Sequence, residues 1–143
     1  MRLVRRLAAL LLVTLMAGVG FGCKSDLPPS TFANMGGLDG LTKYMSAWTD
    51  TMSANPELTK SLTADDMKMV ARGFGNEVAK AAEIPMPSAG VDLVSVLKGK
   101  HLSAAQLTAM GSALQSAGSA SMLSPDAMKG VMELWNGVVK HVK

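Results

Sequence analysis

The amino-acid sequence predicts an all-α domain. Apolar residues recur at spacings of three and four over most of the chain after residue 36, which is the period of a helix with one buried face. Residues that commonly begin helices separate these stretches, namely Asn55-Pro56, Thr63 to Asp66, Ser103 to Gln106 and Ser124-Pro125. No run rich in Val, Ile and Thr alternates as a half-buried strand requires. We therefore expect helices and no sheet.

The N-terminus has the features of a secretory signal peptide. Three arginines lie within the first six residues, and the apolar run from Leu7 to Val19 has the length typical of such signals. Gly22 followed by Cys23 resembles the lipobox of bacterial lipoproteins, whose cysteine is lipidated and becomes the mature N-terminus. Gly20 stands where a lipobox usually has Leu, Ile or Val. We predict a signal peptide over residues 1–22 and a lipid on Cys23 that binds the protein to a membrane.

Two other interpretations of Cys23 stay open, a cleaved signal with a free thiol and an uncleaved anchor. In each case we expect the chain to leave the cytoplasm. Residues 23–35 contain Pro28 and Pro29 with little periodicity, and we expect them to form a lipidated tether. Lys24 follows the cysteine, as in outer-membrane lipoproteins, so we expect a lipid-anchored position in the bacterial cell envelope. In a cell with two membranes, we expect the protein to be anchored in the outer membrane and to face the periplasm.

Two helices are expected after the tether. The first has one apolar face, formed by Leu38, Leu41, Met45, Trp48 and Met52. It ends at Asn55-Pro56, where the proline suits the first position of a second, short helix.

The middle of the chain predicts a long helix and then a short one. Thr63 to Asp66 resembles a capping box with Asp in place of Glu, and Pro85 and Pro87 end the long helix. The apolar side of the long helix consists of Met67, Val70, Phe74 and Val78. A short helix is expected over residues 91–98, with Gly99 as its stop.

The last two helices begin at a capping box over Ser103 to Gln106 and at Ser124-Pro125. Their inward residues are Leu107, Met110, Leu114, Met128, Val131, Trp135, Val138 and Val142. Methionine occupies many apolar positions in all these helices. A thioether side chain suits an irregular core and also an adaptable binding surface, and we favour core filling.

The charge balance argues against a nucleic-acid-binding surface. The chain has 14 Lys and Arg residues against 11 Asp and Glu residues. Three of the arginines lie in the signal peptide, which leaves 11 of each sign in the mature chain. No cluster of Lys and Arg with interleaved aromatic residues follows Cys23, so we expect no nucleic-acid partner. Because Cys23 is the only cysteine, no intramolecular disulfide can form.

The order of the helices and a set of residues in register resemble the group 1 truncated haemoglobins. The matching residues are Gly36, Gly37, Pro85, Gly90, Asp92, Leu93, Leu102, Ser103 and Leu107. The resemblance covers roughly residues 32 to 140 and implies a globin-like helical domain over residues 36–143. It also implies haem as the cofactor and oxygen or nitric oxide as the ligand.

The sequence departs from that family at the haem ligand. Leu97 stands where the proximal histidine belongs, and leucine has no lone pair to offer iron. Thr49 replaces a tyrosine that contacts the bound ligand, and the aromatic wall is reduced to Trp48 and Phe74. These four residues are our pocket candidates. His101 is a candidate for a displaced haem ligand, although we favour an exposed corner residue.

Other chemistry has little support in the sequence. The two histidines lie 40 positions apart, and no spacing of Cys and His suits zinc. Gly73-Phe74-Gly75 lies inside a helical pattern without a preceding strand, so it does not predict a phosphate loop. We therefore expect that this protein is not an enzyme.

Three functions are compatible with these observations. The leading one is a lipid-anchored envelope protein with a truncated-globin-like fold that has lost conventional haem ligation. It then binds a small apolar ligand or a protein partner, and it has no cofactor. The second is a haem protein with an unusual axial ligand, and the third is a structural helical lipoprotein without a ligand.

Overall fold

The computed structural model describes residues 29–85 and 90–143. The described residues form helices and no strand, which confirms the all-α prediction. The signal peptide and Cys23 lie outside the described residues. The helices are α1 (Pro29–Asn34), α2 (Gly37–Ser53), α3 (Pro56–Thr59), α4 (Ala64–Ala81), α5 (Leu93–Gly99), α6 (Ala104–Ala120) and α7 (Pro125–Val142).

The predicted capping boxes are confirmed by reciprocal hydrogen bonds. At the start of α4 the Asp66 amide donates to Thr63 Oγ1 at 3.1 Å, and the Thr63 amide donates to Asp66 Oδ2 at 2.9 Å. At the start of α6 the Gln106 amide donates to Ser103 Oγ at 3.1 Å, and the Ser103 amide donates to Gln106 Oε1 at 2.9 Å. Each box satisfies amides that have no partner inside the helix.

Two helix ends differ from the prediction. The sequence predicts that Pro85 ends the long helix, but α4 already ends at Ala81. The sequence also predicts Gly99 as a stop, but Gly99 is the last helical residue of α5. Left-handed residues follow both helices, Glu83 with φ 57° and His101 with φ 51°. In each case a single residue with left-handed backbone follows the helix. Glu83 lies before Pro85, and His101 lies after Gly99.

The first helix begins within the segment that we expect to be a tether. Phe32 packs against the hydrophobic core and Met35 is buried, so these residues have apolar contacts that an extended tether lacks. Gly36 (φ 91°) and Gly37 (φ 67°) then form the turn into α2. A side chain at Gly40 would overlap the Met35 carbonyl, so α1 and α2 can approach this closely only because residue 40 is glycine.

The core lies around α2, which packs chiefly against α4 and α6, while α7 closes it together with α5. Trp48, Phe74 and Trp135 meet edge to face at the centre, with ring centroids 5.4, 5.5 and 5.8 Å apart. We call these three residues the aromatic triad. Edge-to-face contacts between aromatic rings stabilise the fold by more than the burial of their surface area alone. Several methionines, among them Met52 and Met110, are fully buried, as core filling predicts.

Two side chains of α2 donate hydrogen bonds to carbonyls of α6. Tyr44 Oη donates to the Leu114 carbonyl at 2.7 Å, and Trp48 Nε1 donates to the Met110 carbonyl at 3.0 Å. The donors lie one turn apart on α2 and the acceptors one turn apart on α6. The polar atoms of two large buried side chains are thereby satisfied, and the two helices are held in register.

Candidate functional site

Three of the residues predicted to line a haem pocket lie in the core. Trp48, Phe74 and Leu97 are all 0 % exposed. Trp48 and Phe74 contact each other directly, and Trp135, which the sequence did not single out for the pocket, packs against both. The space beside Trp48 and Phe74 is therefore filled by a third aromatic ring.

His101, the candidate for a displaced ligand, lies on the surface. His101 follows the end of α5 and is exposed, and its amide donates to the Lys98 carbonyl at 3.3 Å. His141 is also exposed, in the last turn of α7. In the part of the chain that the structure describes, no group of three or more His, Cys, Asp and Glu residues could hold a metal ion. Leu97, which the resemblance aligns with the haem ligand, is fully buried, and its side chain has no lone pair to offer iron.

Thr49 lies in a different place from the other pocket candidates. Successive residues of a helix diverge by about 100°, so Thr49 faces away from the core that its neighbour Trp48 enters. It lines a groove of about 410 Å³ between α2 and α4. The sequence pattern placed Thr49 with Trp48, but the structure separates them.

The floor of the α2–α4 groove is apolar and is made by one face of each helix. Leu41 and Met45 come from α2, and Ala71 and Gly75 come from α4, each pair one turn apart. The two small residues of α4 leave room between the helices. A Cβ atom added at Gly75 would lie 3.6 Å from Met45 Cγ, an ordinary contact, so this glycine adds open volume and is not required by close packing.

The rim of the groove is polar and carries more positive than negative charge. Lys68 and Arg72 lie one turn apart on α4, and Asp50 lies on α2. Among the described residues, two ion pairs form at 2.8 Å, Lys60 with Glu57 and Lys100 with Asp66. Neither pair includes a cation of the groove. Both cations are therefore available to a ligand.

Hydroxyl groups complete the rim on the α2 side. Thr42 Oγ1 donates to the Leu38 carbonyl at 2.9 Å, and Thr49 Oγ1 donates to the Met45 carbonyl at 3.0 Å. Their hydrogens are used inside the helix, which leaves their oxygens as acceptors. Ser46 Oγ also faces the groove and donates no hydrogen bond to another described residue.

Sequence reasoning missed the two cations of this groove. A signal was present, because Lys68 and Arg72 share one face of α4 with the small residues Ala71 and Gly75. The spacing alone could not show that this face lies beside the hydroxyl-bearing face of α2. That juxtaposition depends on how the two helices pack.

A second groove of about 280 Å³ lies between α6 and α7. Its apolar surface includes Trp135 beside Gly111, where an added Cβ atom would come within 2.8 Å of Trp135 Nε1. The remaining lining is divided between apolar side chains and side chains with amides or hydroxyls, and it includes one cation, Lys143. It is smaller than the α2–α4 groove and lacks a pair of cations, so we treat the α2–α4 groove as the candidate site.

The chain matches no protein-family model, and no curated protein or solved structure is significantly similar to it. Among the described helices, none has the length and apolar character needed to cross a membrane.

Proposed function

We propose that this protein is a lipid-anchored component of the bacterial cell envelope whose helical domain binds a small apolar ligand without haem. The observation that carries the proposal is the α2–α4 groove. Its volume of about 410 Å³ lies in the range of about 300–1,000 Å³ that is common for small-molecule sites. Its floor is apolar and its rim polar, which is the usual composition of such sites. The anchor rests on the sequence around Cys23.

The proposal includes a divergent truncated-globin-like fold for residues 36–143. Three features of the matching register support it. The left-handed glycines Gly36 and Gly37 lie at the start of α2, Asp92 accepts a hydrogen bond from the Ser95 amide at the start of α5, and Ser103 caps α6. The loss of haem is supported by Leu97, fully buried at the ligand position, and by the aromatic triad, which fills the adjacent space.

Titration with haem tests the loss of the cofactor. We expect no stoichiometric uptake and no Soret band of a ligated haem, because Leu97 offers iron no lone pair and Trp135 fills the space beside Trp48 and Phe74. A saturable band at one haem per chain would overturn the haem-free proposal. If a band forms, its loss in His101→Gly would assign the ligand to His101, and its persistence would exclude that residue.

Binding of 1-octanol tests the groove as a ligand site. The protein is placed in zwitterionic phospholipid nanodiscs, and heats are measured by titration calorimetry against empty nanodiscs. We expect saturable binding that weakens at least about tenfold in Gly75→Leu, because the added side chain occupies the groove. Gly137→Leu is the matched control, since an added Cβ atom at Gly137 meets no atom within 4 Å.

The control outcomes separate occlusion from misfolding. Circular dichroism of Gly75→Leu should show the helix content of the wild type. Should that variant fail to fold, Gly75→Ala keeps the fold and removes part of the volume, and octanol binding should then weaken by a smaller factor. Equal octanol binding by the wild type, Gly75→Leu and Gly137→Leu would refute the groove as the site.

Lipid attachment is tested by metabolic labelling with a radioactive fatty acid. We expect label on the wild type and none on Cys23→Ser. An unlabelled wild type that fractionates away from membranes would refute the anchor.

A further inference from the structure

Resting on the α2–α4 groove as the ligand site, we propose that its ligand is an amphiphile with a single carboxylate, such as a fatty acid. The carboxylate binds Lys68 and Arg72 at the rim. The apolar tail lies along the floor, over Leu41 and Met45. The charged head goes beyond the apolar ligand expected from the sequence, and its sign is inferred from the cations of the rim.

The charge of the head follows from the balance of charges in the groove. Lys68 and Arg72 contribute two positive charges and Asp50 contributes one negative charge, which leaves one net positive charge among the lining residues. A carboxylate carries one negative charge and neutralises this excess. A phosphate monoester carries about 1.5 to 2 negative charges at neutral pH and would overcompensate it. An ammonium head would be repelled.

The geometry of the cations suits a carboxylate. An arginine guanidinium presents parallel N–H groups that can bind both oxygens of one carboxylate, and a lysine ammonium adds a point charge beside it. Lys68 and Arg72 lie one turn apart on the same face of α4, so both can reach one head group. Because neither forms an ion pair with a described residue, no intramolecular partner has to be displaced.

The opposite wall supplies a donor as well. An ionised carboxylate can accept hydrogen bonds but cannot donate them. A hydroxyl group can therefore bind it only if its hydrogen is not already donated elsewhere. Thr42 and Thr49 donate to carbonyls of their own helix, but Ser46 does not. Ser46 is therefore the hydroxyl of α2 that can donate to the head.

The floor offers an apolar surface to a short tail. Ala71 and Gly75 widen the groove on the α4 side, and Met45 has a flexible side chain that adapts to a chain of methylenes. An octanoate chain is long enough to follow the two turns from residue 68 to residue 75. This short chain also has the solubility that a binding experiment needs.

The experiment compares ligands that share a tail and differ in the head. Octanoate, 1-octanol, octylamine and octyl phosphate are titrated into the full lipidated protein in zwitterionic nanodiscs. We expect octanoate to bind about tenfold more tightly than octanol, as a charge-assisted bond to two cations allows. We expect octylamine to bind more weakly than octanol. Added salt should weaken the binding of octanoate and leave that of octanol unchanged.

Substitutions of the two cations test where the carboxylate of octanoate binds. Lys68→Gln and Arg72→Gln should each reduce octanoate affinity about threefold to tenfold and leave octanol affinity unchanged. Lys80→Gln is the matched control, because Lys80 is an exposed lysine of the same helix that does not line the groove. It should bind octanoate like the wild type. All three variants should retain the helix content of the wild type, since each replaces an exposed side chain.

The outcomes distinguish this inference from the proposed function. Octanol binding that depends on Gly75, together with no preference for octanoate, would overturn the carboxylate and leave the ligand site intact. Tighter binding of octyl phosphate than of octanoate would overturn the carboxylate and indicate a ligand with a phosphate head. Equal octanoate affinity in Arg72→Gln, Lys68→Gln and Lys80→Gln would place the head elsewhere. Absence of binding by every ligand would overturn both proposals.

Discussion

Met122, just after α6, combines two unfavourable properties in one residue. Its φ is 59°, in the left-handed region that costs a residue with a Cβ atom about 1–2 kcal/mol, and its side chain is 88 % exposed. Its amide donates to the Ser119 carbonyl at 3.1 Å, and the Leu123 amide donates to the Gly118 carbonyl at 3.0 Å. This is the hydrogen-bond pattern of a Schellman motif, in which glycine normally occupies the left-handed position.

We expect Met122→Gly to raise the free energy of unfolding by about 0.5–1 kcal/mol, because glycine adopts this backbone without steric cost. The gain is measured by urea denaturation. Met122→Ala removes the side chain but keeps the Cβ atom, so its stability should stay close to that of the wild type. Equal stability of the Gly and Ala variants would show that the backbone conformation costs nothing.

At the residue scale, the four pocket candidates do not line one cavity, because Trp48, Phe74 and Leu97 are buried in the core and Thr49 lines the α2–α4 groove. Thr49 follows Trp48 directly, yet one lines the groove and the other enters the aromatic triad. Aligning this sequence with a family matches positions along the chain, but the alignment does not show whether a cavity lies beside the matched side chains. Here Trp135 fills that space, and its contact with Trp48 joins residues far apart in sequence.

At the scale of elements, the start of α4 is tied to the end of α5. Asp66 caps α4 and also accepts from Lys100 Nζ at 2.8 Å, just past α5. The hydrogen bond from Lys100 and then that from the Thr63 amide hold the pKa of Asp66 below its usual value. The folded protein therefore favours the ionised carboxyl group.

We expect Asp66→Asn to lower the free energy of unfolding at pH 7 by about 1 kcal/mol, because the neutral amide loses the ion pair with Lys100 and the favourable negative charge in the first turn of α4. Because the pKa is lowered by folding, this contribution is present above the unfolded value of about 3.9 and is lost as the pH falls through the folded value. The two proteins should thus become equally stable in acid. Asp65→Asn, an exposed neighbour in the same turn, is the control. A pH-independent difference would contradict the account.

The elements themselves divide into those that the sequence predicts well and those that it does not. The starts of α3, α4, α6 and α7 follow from capping residues, because a cap is a local hydrogen bond within four residues. The helix ends and α1 are less predictable. Non-glycine residues make the left-handed turns, and α1 is a six-residue helix whose apolar residues contact elements far along the chain.

At the scale of the whole molecule, Tyr44 links the first and second halves of the chain. Its hydroxyl donates to the Leu114 carbonyl from 70 positions away, and its side chain is fully buried. Burial raises the pKa of Tyr44 well above its ordinary value, because the ionised phenolate would lose its hydration. Folding therefore opposes ionisation of this group.

We expect the free energy of unfolding to fall as the pH rises above about 10, the pKa of an unfolded tyrosine. Tyr44→Phe should remove this part of the pH dependence and cost about 1 kcal/mol at pH 7. Tyr44 is the only tyrosine in the chain, so tyrosinate absorbance reports on it alone. Ionisation near pH 10 while the helices persist would contradict a buried hydroxyl.

The sequence by itself determined the helical class and the starts of α3, α4, α6 and α7, and it predicts a lipid anchor at Cys23. Each of these depends on residues that are neighbours along the chain, so a pattern of a few positions is enough. Only the tertiary structure decided that Trp48, Phe74 and Trp135 fill the centre and that Lys68 and Arg72 face the hydroxyls of α2. Those arrangements follow from which faces of α2, α4 and α7 pack together, because packing depends on the combined shape of side chains from distant segments.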